Sequence, residues 1–168
     1  LLRLLRQGMA SDADVVLVQE TKLRDTGDIQ KATNAVANMG WWLFLALALL
    51  GPGGGKCEGV GILVRRHLAV AEAGKVLVDG RVISVVVQLR HFGRLRLLSV
   101  YGVVVGACGA REANEDIART IATKAEEGGW PAVAGGDFNV EPRFAQKVLG
   151  EMGAPYTAAA AGRATCLT

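Results

Sequence analysis

The hydrophobic and polar positions along this chain alternate between two periods, and the switches between them outline its elements. Asp14 to Glu20 is an apolar run, Val15-Val16-Leu17-Val18, that ends in a carboxylate, the pattern of a strand buried on both faces. From Asp25 to Met39 the period changes: Ile29, Ala32, Val36 and Met39 recur at spacings of three and four, and Gly40 stands where a helix C-terminal glycine belongs. Trp41 to Leu50 reads as a strand, broken by the Gly51-Pro52-Gly53-Gly54-Gly55 loop before a further strand at Gly59 to Arg65. Lys75 to Val78, Val82 to Leu89 and Leu95 to Tyr101 predict successive strands, the last two joined at His91-Phe92-Gly93-Arg94 as an antiparallel hairpin. Ala110 to Glu127 returns to helical spacing, with Ala110, Ala113, Ile117, Ile121 and Ala125 on one face and Gly128 after its end. Trp130 to Gly136 predicts a strand, and Phe144, Val148 and Leu149 beyond Pro142 a short helix. Leu1 to Met9 fits the end of an amphipathic helix, and Thr157 to Ala164 has no strong preference. Strands in runs with helices between some of them imply two stacked mixed sheets flanked by helices.

Composition places the chain among globular domains: 51% of its 168 residues are hydrophobic and the formal charge is +3, which excludes disorder and a strongly basic tail. A pI near 8.9 is compatible with a polyanionic substrate and does not by itself specify nucleic acid. Cys57, Cys108 and Cys166 are far apart, with no Cys-x-x-Cys and no histidine cluster, so neither a zinc site nor a disulfide framework is expected, and a reducing, intracellular compartment is favoured. The longest apolar run, Trp41 to Leu50, is about half the roughly 20 residues a membrane-spanning helix needs.

The candidate chemistry sits at strand ends. In Gly135-Gly136-Asp137-Phe138-Asn139, strand alternation would turn Asp137 and Asn139 the same way, one to hold a cation and the other to donate a hydrogen bond. Glu20 is a second strand-end carboxylate. Together they supply the oxygen ligands that Mg²⁺, or Mn²⁺, takes while keeping several waters. Local alternatives stand beside these readings: an Asx turn at Asp137 and Asn139, a helix-capping role for Glu20, and a buried structural role for Tyr101. The Gly51 to Lys56 segment lacks the Walker spacing and is rejected as a nucleotide-binding loop. His67 and His91 read as surface residues without a partner acid, and of the adjacent Trp41 and Trp42 at least one belongs to the core.

Val18-Gln19-Glu20-Thr21, Gly59-Val60-Gly61-Ile62-Leu63-Val64, Ser99-Val100-Tyr101 and Gly136-Asp137-Phe138-Asn139 occur in the order that resembles the endonuclease/exonuclease/phosphatase (DNase I-like) superfamily. The resemblance implies a single, partial four-layer α/β sandwich over residues 1–168, and a metal-dependent phosphodiesterase in which Glu20 is a metal ligand and Asp137, Asn139 and Tyr101 are catalytic. It departs from the family pattern after Tyr101, where Gly102-Val103-Val104-Val105 replaces a proline followed by Asn or His. The family's opening Asn-bearing strand and closing Ser-Asp-His-like segment do not match any stretch, so the sequence is expected to be a fragment that is nearly inactive alone. The run Leu17 to Leu23 and the Gly-rich loop most resemble retrotransposon-type endonucleases, which implies DNA as substrate. An inositol- or lipid-phosphate hydrolase and a non-catalytic remnant or binding module of the same fold are the alternatives.

Overall fold

The structure is a computed structural model that describes residues 12–51 and 53–151; the predicted helix at Leu1 to Met9, the Thr157 to Ala164 stretch and Cys166 lie outside the described residues. Among the described residues nine strands and three helices follow in the order β1 (Val15–Val18), α1 (Thr26–Ala37), β2 (Trp41–Ala46), β3 (Leu49–Leu50), β4 (Lys56–Cys57), β5 (Val60–Arg65), β6 (Ala69–Val78), β7 (Val82–Leu89), β8 (Gly93–Tyr101), α2 (Ala110–Glu126), β9 (Ala132–Asp137) and α3 (Pro142–Glu151).

They form two principal sheets, β1-β5-β2 and β6-β7-β8-β9, and a small β3-β4 ribbon. In the first sheet both neighbours of β5 run antiparallel to it. The second is mixed, because β8 and β9 are parallel, as a strand pair joined through a crossover helix must be. The expectation of two mixed sheets is thus refined: among the described residues the first sheet is antiparallel throughout, since β1 and β2 are separated by β5 rather than paired.

Alternation assigns the layers. Val60, Ile62 and Val64 of β5 meet Ile83, Val85 and Val87 of β7 and Leu97 and Tyr101 of β8 in the core between the sheets. Leu63 of β5 turns the other way, onto Val36 of α1 and Trp41. Leu98 and Val100 of β8 likewise face outward, onto Ile117 and Ile121 of α2. Helix, sheet, sheet and helix therefore stack as four layers, and the central strands read as largely apolar runs because both of their faces are covered.

Local breaks have local causes. The Trp41 to Leu50 run divides at Leu47 and Ala48, where the Ala48 N–H leaves the ladder and donates to the Leu23 carbonyl at 2.9 Å. Leu49 and Leu50 then pair with Cys57 and Lys56 around the glycine loop. Lys56 ties that ribbon to the start of α1 through Asp25 and through Asp28 at 3.1 Å, hydrogen bonds that hold its ammonium above the usual lysine pKa. Helix α1 ends as its sequence predicts, with Gly40 at φ +82°. Strand β6 begins six residues earlier than the Lys75 start predicted, because Ala69 to Gly74 is small and exposed; the register shifts along it mark an irregular edge strand. Trp41 is 2% exposed and Trp42 44%, the division that adjacent residues on one strand require. No helix among the described residues is long and apolar enough to cross a membrane.

Candidate active site at the strand ends

The predicted site residues come from both sheets. Strand β1 of the first sheet ends beside β8 and β9 of the second, and a polar seam stitches them together: the Ser99 hydroxyl donates to the Val18 carbonyl at 3.2 Å, and the Gln19 amide donates to the Ser99 oxygen at 3.2 Å. Ser99 has no exposed surface, so its pairing removes what would otherwise be an unsatisfied hydroxyl between the sheets. The seam fixes the exit of β1, and Glu20 leaves it with φ +50°.

At that exit the Tyr101 hydroxyl donates to Glu20 Oε1 at 2.6 Å. This bond to the carboxylate, then burial, then the charges of Glu20 and Asp137 push the Tyr101 phenol up to about 12, against a smaller opposing effect of Arg81. Tyr101 is thus a neutral hydrogen-bond donor near neutral pH and cannot serve as a base. Glu20 keeps its second oxygen 3.7 Å from Lys22 Nζ, and its side chain is half exposed.

Asp137 is held by register, because Tyr101 pairs with Asp137 across the parallel β8-β9 ladder and the Gly102 N–H donates to the Asp137 carbonyl at 2.7 Å. Close approach here depends on glycine. A Cβ on Gly136, at φ +147°, would stand 2.0 Å from the Val100 carbonyl oxygen, and one on Gly102 would stand 1.9 Å from that of Phe138. The Gly102-Val103 departure from the family pattern therefore lies where this chain's backbone tolerates no side chain.

Asn139 does not continue the strand alternation expected of it. Strand β9 ends at Asp137, and Asn139 turns to φ +50°, its N–H donating to Asp137 Oδ1 at 3.1 Å. Its side-chain amide donates to the Gly102 carbonyl at 3.0 Å, which leaves the amide oxygen and one N–H for other partners. The first of these contacts is the Asx turn weighed as an alternative; the second reaches across to the strand that carries Tyr101.

Glu20 and Asp137 are therefore two exposed carboxylates, one bonded to the Tyr101 hydroxyl and the other on the residue that pairs with Tyr101 across β8-β9. Among the described residues no group of three or more His, Cys, Asp or Glu side chains is arranged to hold a metal ion. Two hard oxygen donors open to solvent nevertheless match a cation that keeps most of its waters, as Mg²⁺ does, and do not match the closed nitrogen and sulfur cages of structural zinc.

Sequence reasoning missed Arg81 and Glu58. Arg81 lies in the turn between β6 and β7, forms an ion pair with Glu58, and donates to the Gly102 carbonyl at 2.9 Å and the Tyr101 carbonyl at 3.3 Å. An arginine opening the run Val82 to Val87, apolar except for Ser84, was the available signal. His67, expected to lack an acid partner, sits 3.2 Å from Asp14 Oδ1, because β1 and β5 pair antiparallel and bring their distant ends together. Both side chains are exposed and lie at the end of β1 away from Glu20.

A family model described as the Endonuclease/Exonuclease/phosphatase family matches residues 1–164. The chain belongs to that family. Solved structures show its fold. D. rerio TDP2 complexed with single strand DNA product matches at a TM-score of 0.61 and 16% identity over 87% of this chain and 56% of that one. The human Nocturnin catalytic domain with bound sulfate anion matches at 0.65 and 14% over 90% and 60%, and ANGEL2, a 2',3'-cyclic phosphatase, at 0.61 and 13% over 83% and 43%. At such identities the likeness is one of fold. The chain spans little more than half the length of the first two of these endonuclease/exonuclease/phosphatase structures. No individual curated protein matches it by sequence.

Proposed function

We propose that this chain carries most of the site of a metal-dependent phosphodiesterase, a DNA endonuclease of retrotransposon type, with residues 1–168 forming one partial domain. The observation that carries this reading is the bond from the Tyr101 hydroxyl to Glu20 of the other sheet, with Asp137 paired to Tyr101 in register across β8-β9 and its charge felt at the phenol. Family membership supports phosphoester chemistry, and a relative bound to a DNA product supports nucleic acid as the substrate class. The retrotransposon assignment rests on the resemblance of Leu17 to Leu23 and of the Gly-rich loop.

In this proposal Glu20 would hold Mg²⁺ or Mn²⁺, and Asp137 follows on the strand paired with Tyr101. A divalent cation there would supply charge to a non-bridging phosphate oxygen and to the leaving alkoxide. The chain's own groups do the rest. Asp137, exposed and already oriented by the Asn139 N–H, accepts a proton from the attacking water. Asn139, its amide anchored on Gly102, orients that water with its remaining polar atoms. Tyr101, held neutral, steadies Glu20 and offers its phenol edge to the phosphate.

The test is nicking of supercoiled plasmid in Mg²⁺ by the parent chain and by Asp137→Ala, alongside Mg²⁺ binding by calorimetry. Asp137 is exposed, so the variant should fold as the parent does while Mg²⁺ binding is lost and the weak nicking expected of these residues alone falls further. Hydrolysis of phosphoinositides without nicking would move the assignment to the lipid-phosphate alternative. Absence of any Mg²⁺ binding that Asp137→Ala abolishes would favour a non-catalytic module.

A further inference from the structure

Glu58 and Arg81 stand behind the site without lining it. Glu58 adopts φ +64°, a conformation that few residues other than glycine hold. Its carbonyl accepts the Lys22 N–H at 3.2 Å, and the adjacent Gly59 carbonyl accepts the Thr21 N–H at 2.9 Å, so the Glu58-Gly59 main chain holds the segment that follows Glu20. Its side chain points the other way, into the ion pair with Arg81.

Arg81 in turn grips the second sheet. Its carbonyl accepts the Tyr101 N–H at 2.8 Å, and its guanidinium donates to the Tyr101 and Gly102 carbonyls. The same Gly102 carbonyl anchors the Asn139 amide. One chain of contacts thus runs from the Glu20 segment through Glu58 and Arg81 to Tyr101 and Asn139.

The pair is poorly built for stability alone. Both side chains are largely buried, and Glu58 Oε2 has no hydrogen-bond partner. Gly80, at φ +66°, leaves room for that oxygen, since a Cβ there would approach it to 2.9 Å. A buried ion pair with an orphaned oxygen gains little over apolar residues of similar volume. What apolar residues would lack is the planar fork that reaches two carbonyls and a carboxylate together.

We infer that the Glu58–Arg81 pair is a positioning brace that holds the Glu20 carboxylate against the Tyr101 hydroxyl across the two sheets. The inference rests on the reading of Glu20, Tyr101 and Asn139 as site residues, but its test requires no turnover. The chain has two tyrosines, Tyr101 and Tyr156, so ¹³C labelling at the tyrosine Cζ gives two resonances at neutral pH, and Tyr101→Phe assigns them. Glu20→Gln supplies the position of the Tyr101 signal when the hydroxyl no longer faces a carboxylate.

Arg81→Lys keeps the charge and removes the fork; it should move the Tyr101 signal at least half-way to the Glu20→Gln position. Glu58→Gln, nearly the same size, should move it in the same direction by less. An unmoved signal in folded variants overturns the brace. So does a fall in Tm with the signal unmoved, or failure of both variants to fold, because each would make the pair a clamp on the fold alone. If Mg²⁺ binding is absent while the signal moves as expected, the reading as a metal-dependent phosphodiesterase fails and the brace stands.

Discussion

Two arginines at opposite ends of the second sheet, Arg96 buried and Arg81 partly so, put the same chemistry to different uses. Arg96, on β8, is 2% exposed, donates to the Ser84 hydroxyl at 3.2 Å and the Glu127 carbonyl at 3.2 Å, and lies 3.6 Å from a Glu72 oxygen. Glu127 follows the last turn of α2, so Arg96 meets the negative end of that helix, with the Trp130 ring 5.3 Å away. Arg81, at the other end, spends its guanidinium on Glu58 and the carbonyls of Tyr101 and Gly102. Each arrangement leaves one buried polar atom unpartnered, Nε of Arg96 at one end and Oε2 of Glu58 at the other. The partners of Arg96 belong to the scaffold, whereas those of Arg81 belong to the candidate site. Similar incompleteness therefore does not predict the same consequence when either is altered.

The largest effect is expected at the site end from a single methyl group. Gly102→Ala sets a Cβ against the Phe138 carbonyl, a backbone atom with no rotamer to yield, while the Gly102 N–H is bound to Asp137. Relief requires β9 to part from β8, and chemical denaturation should show a loss of more than about 3 kcal/mol. The remnant should also lose the Tyr101–Glu20 contact. A neutral Gly102→Ala would mean that the strand ends at the site are not held as closely as the scaffold end.

Arg96→Ala should come next, at about 3 kcal/mol, through lost packing, lost hydrogen bonds and an uncapped α2 terminus. The Tyr101 Cζ resonance should stay where it is in the parent. That contrast with Arg81→Lys, which should shift the resonance with a smaller loss of stability, is the sharpest form of the comparison; equal behaviour of the two arginines in both measurements would dissolve it.

The scaffold end was more legible in the sequence than the site end for a physical reason. Burial on both faces writes itself into mostly apolar stretches, so strands were expected from Gly59, Val82 and Leu95 where β5, β7 and β8 begin at Val60, Val82 and Gly93, and the three- and four-residue spacings located α1 and α2. Strand-end carboxylates were legible because Glu20 and Asp137 interrupt such runs. Side-chain contacts across the two sheets leave no such periodic mark. Glu58 and Arg81 are 23 positions apart in separate loops, and nothing in either neighbourhood names the other. Asn139 was misplaced for a related reason: alternation was carried past the strand end, where a left-handed residue redirects the side chain. The exposed first half of β6 was missed because Ala69 to Gly74 buries little and so carries little apolar pattern.

The smallest effect is a change of slope rather than of depth, and it separates the two ends by pH. Tyr101 has its phenol pKa raised from 10.0 to about 12, first by the hydrogen bond to Glu20. Between those values the folded chain retains a proton that the unfolded chain has released, so this contribution to stability is complete below pH 10 and is lost as pH rises through 12. Glu20→Gln removes the leading cause and returns the phenol toward its ordinary value. Between pH 9.5 and 11.5 the urea midpoint of the parent should therefore fall more steeply than that of Glu20→Gln, whereas Arg96→Ala, which leaves the Tyr101–Glu20 bond in place, should keep the parental slope from a lower starting point. Parallel curves for the parent and Glu20→Gln would show that the hydroxyl and the carboxylate do not meet in solution, and with that the convergence of the two sheets on one site would be lost.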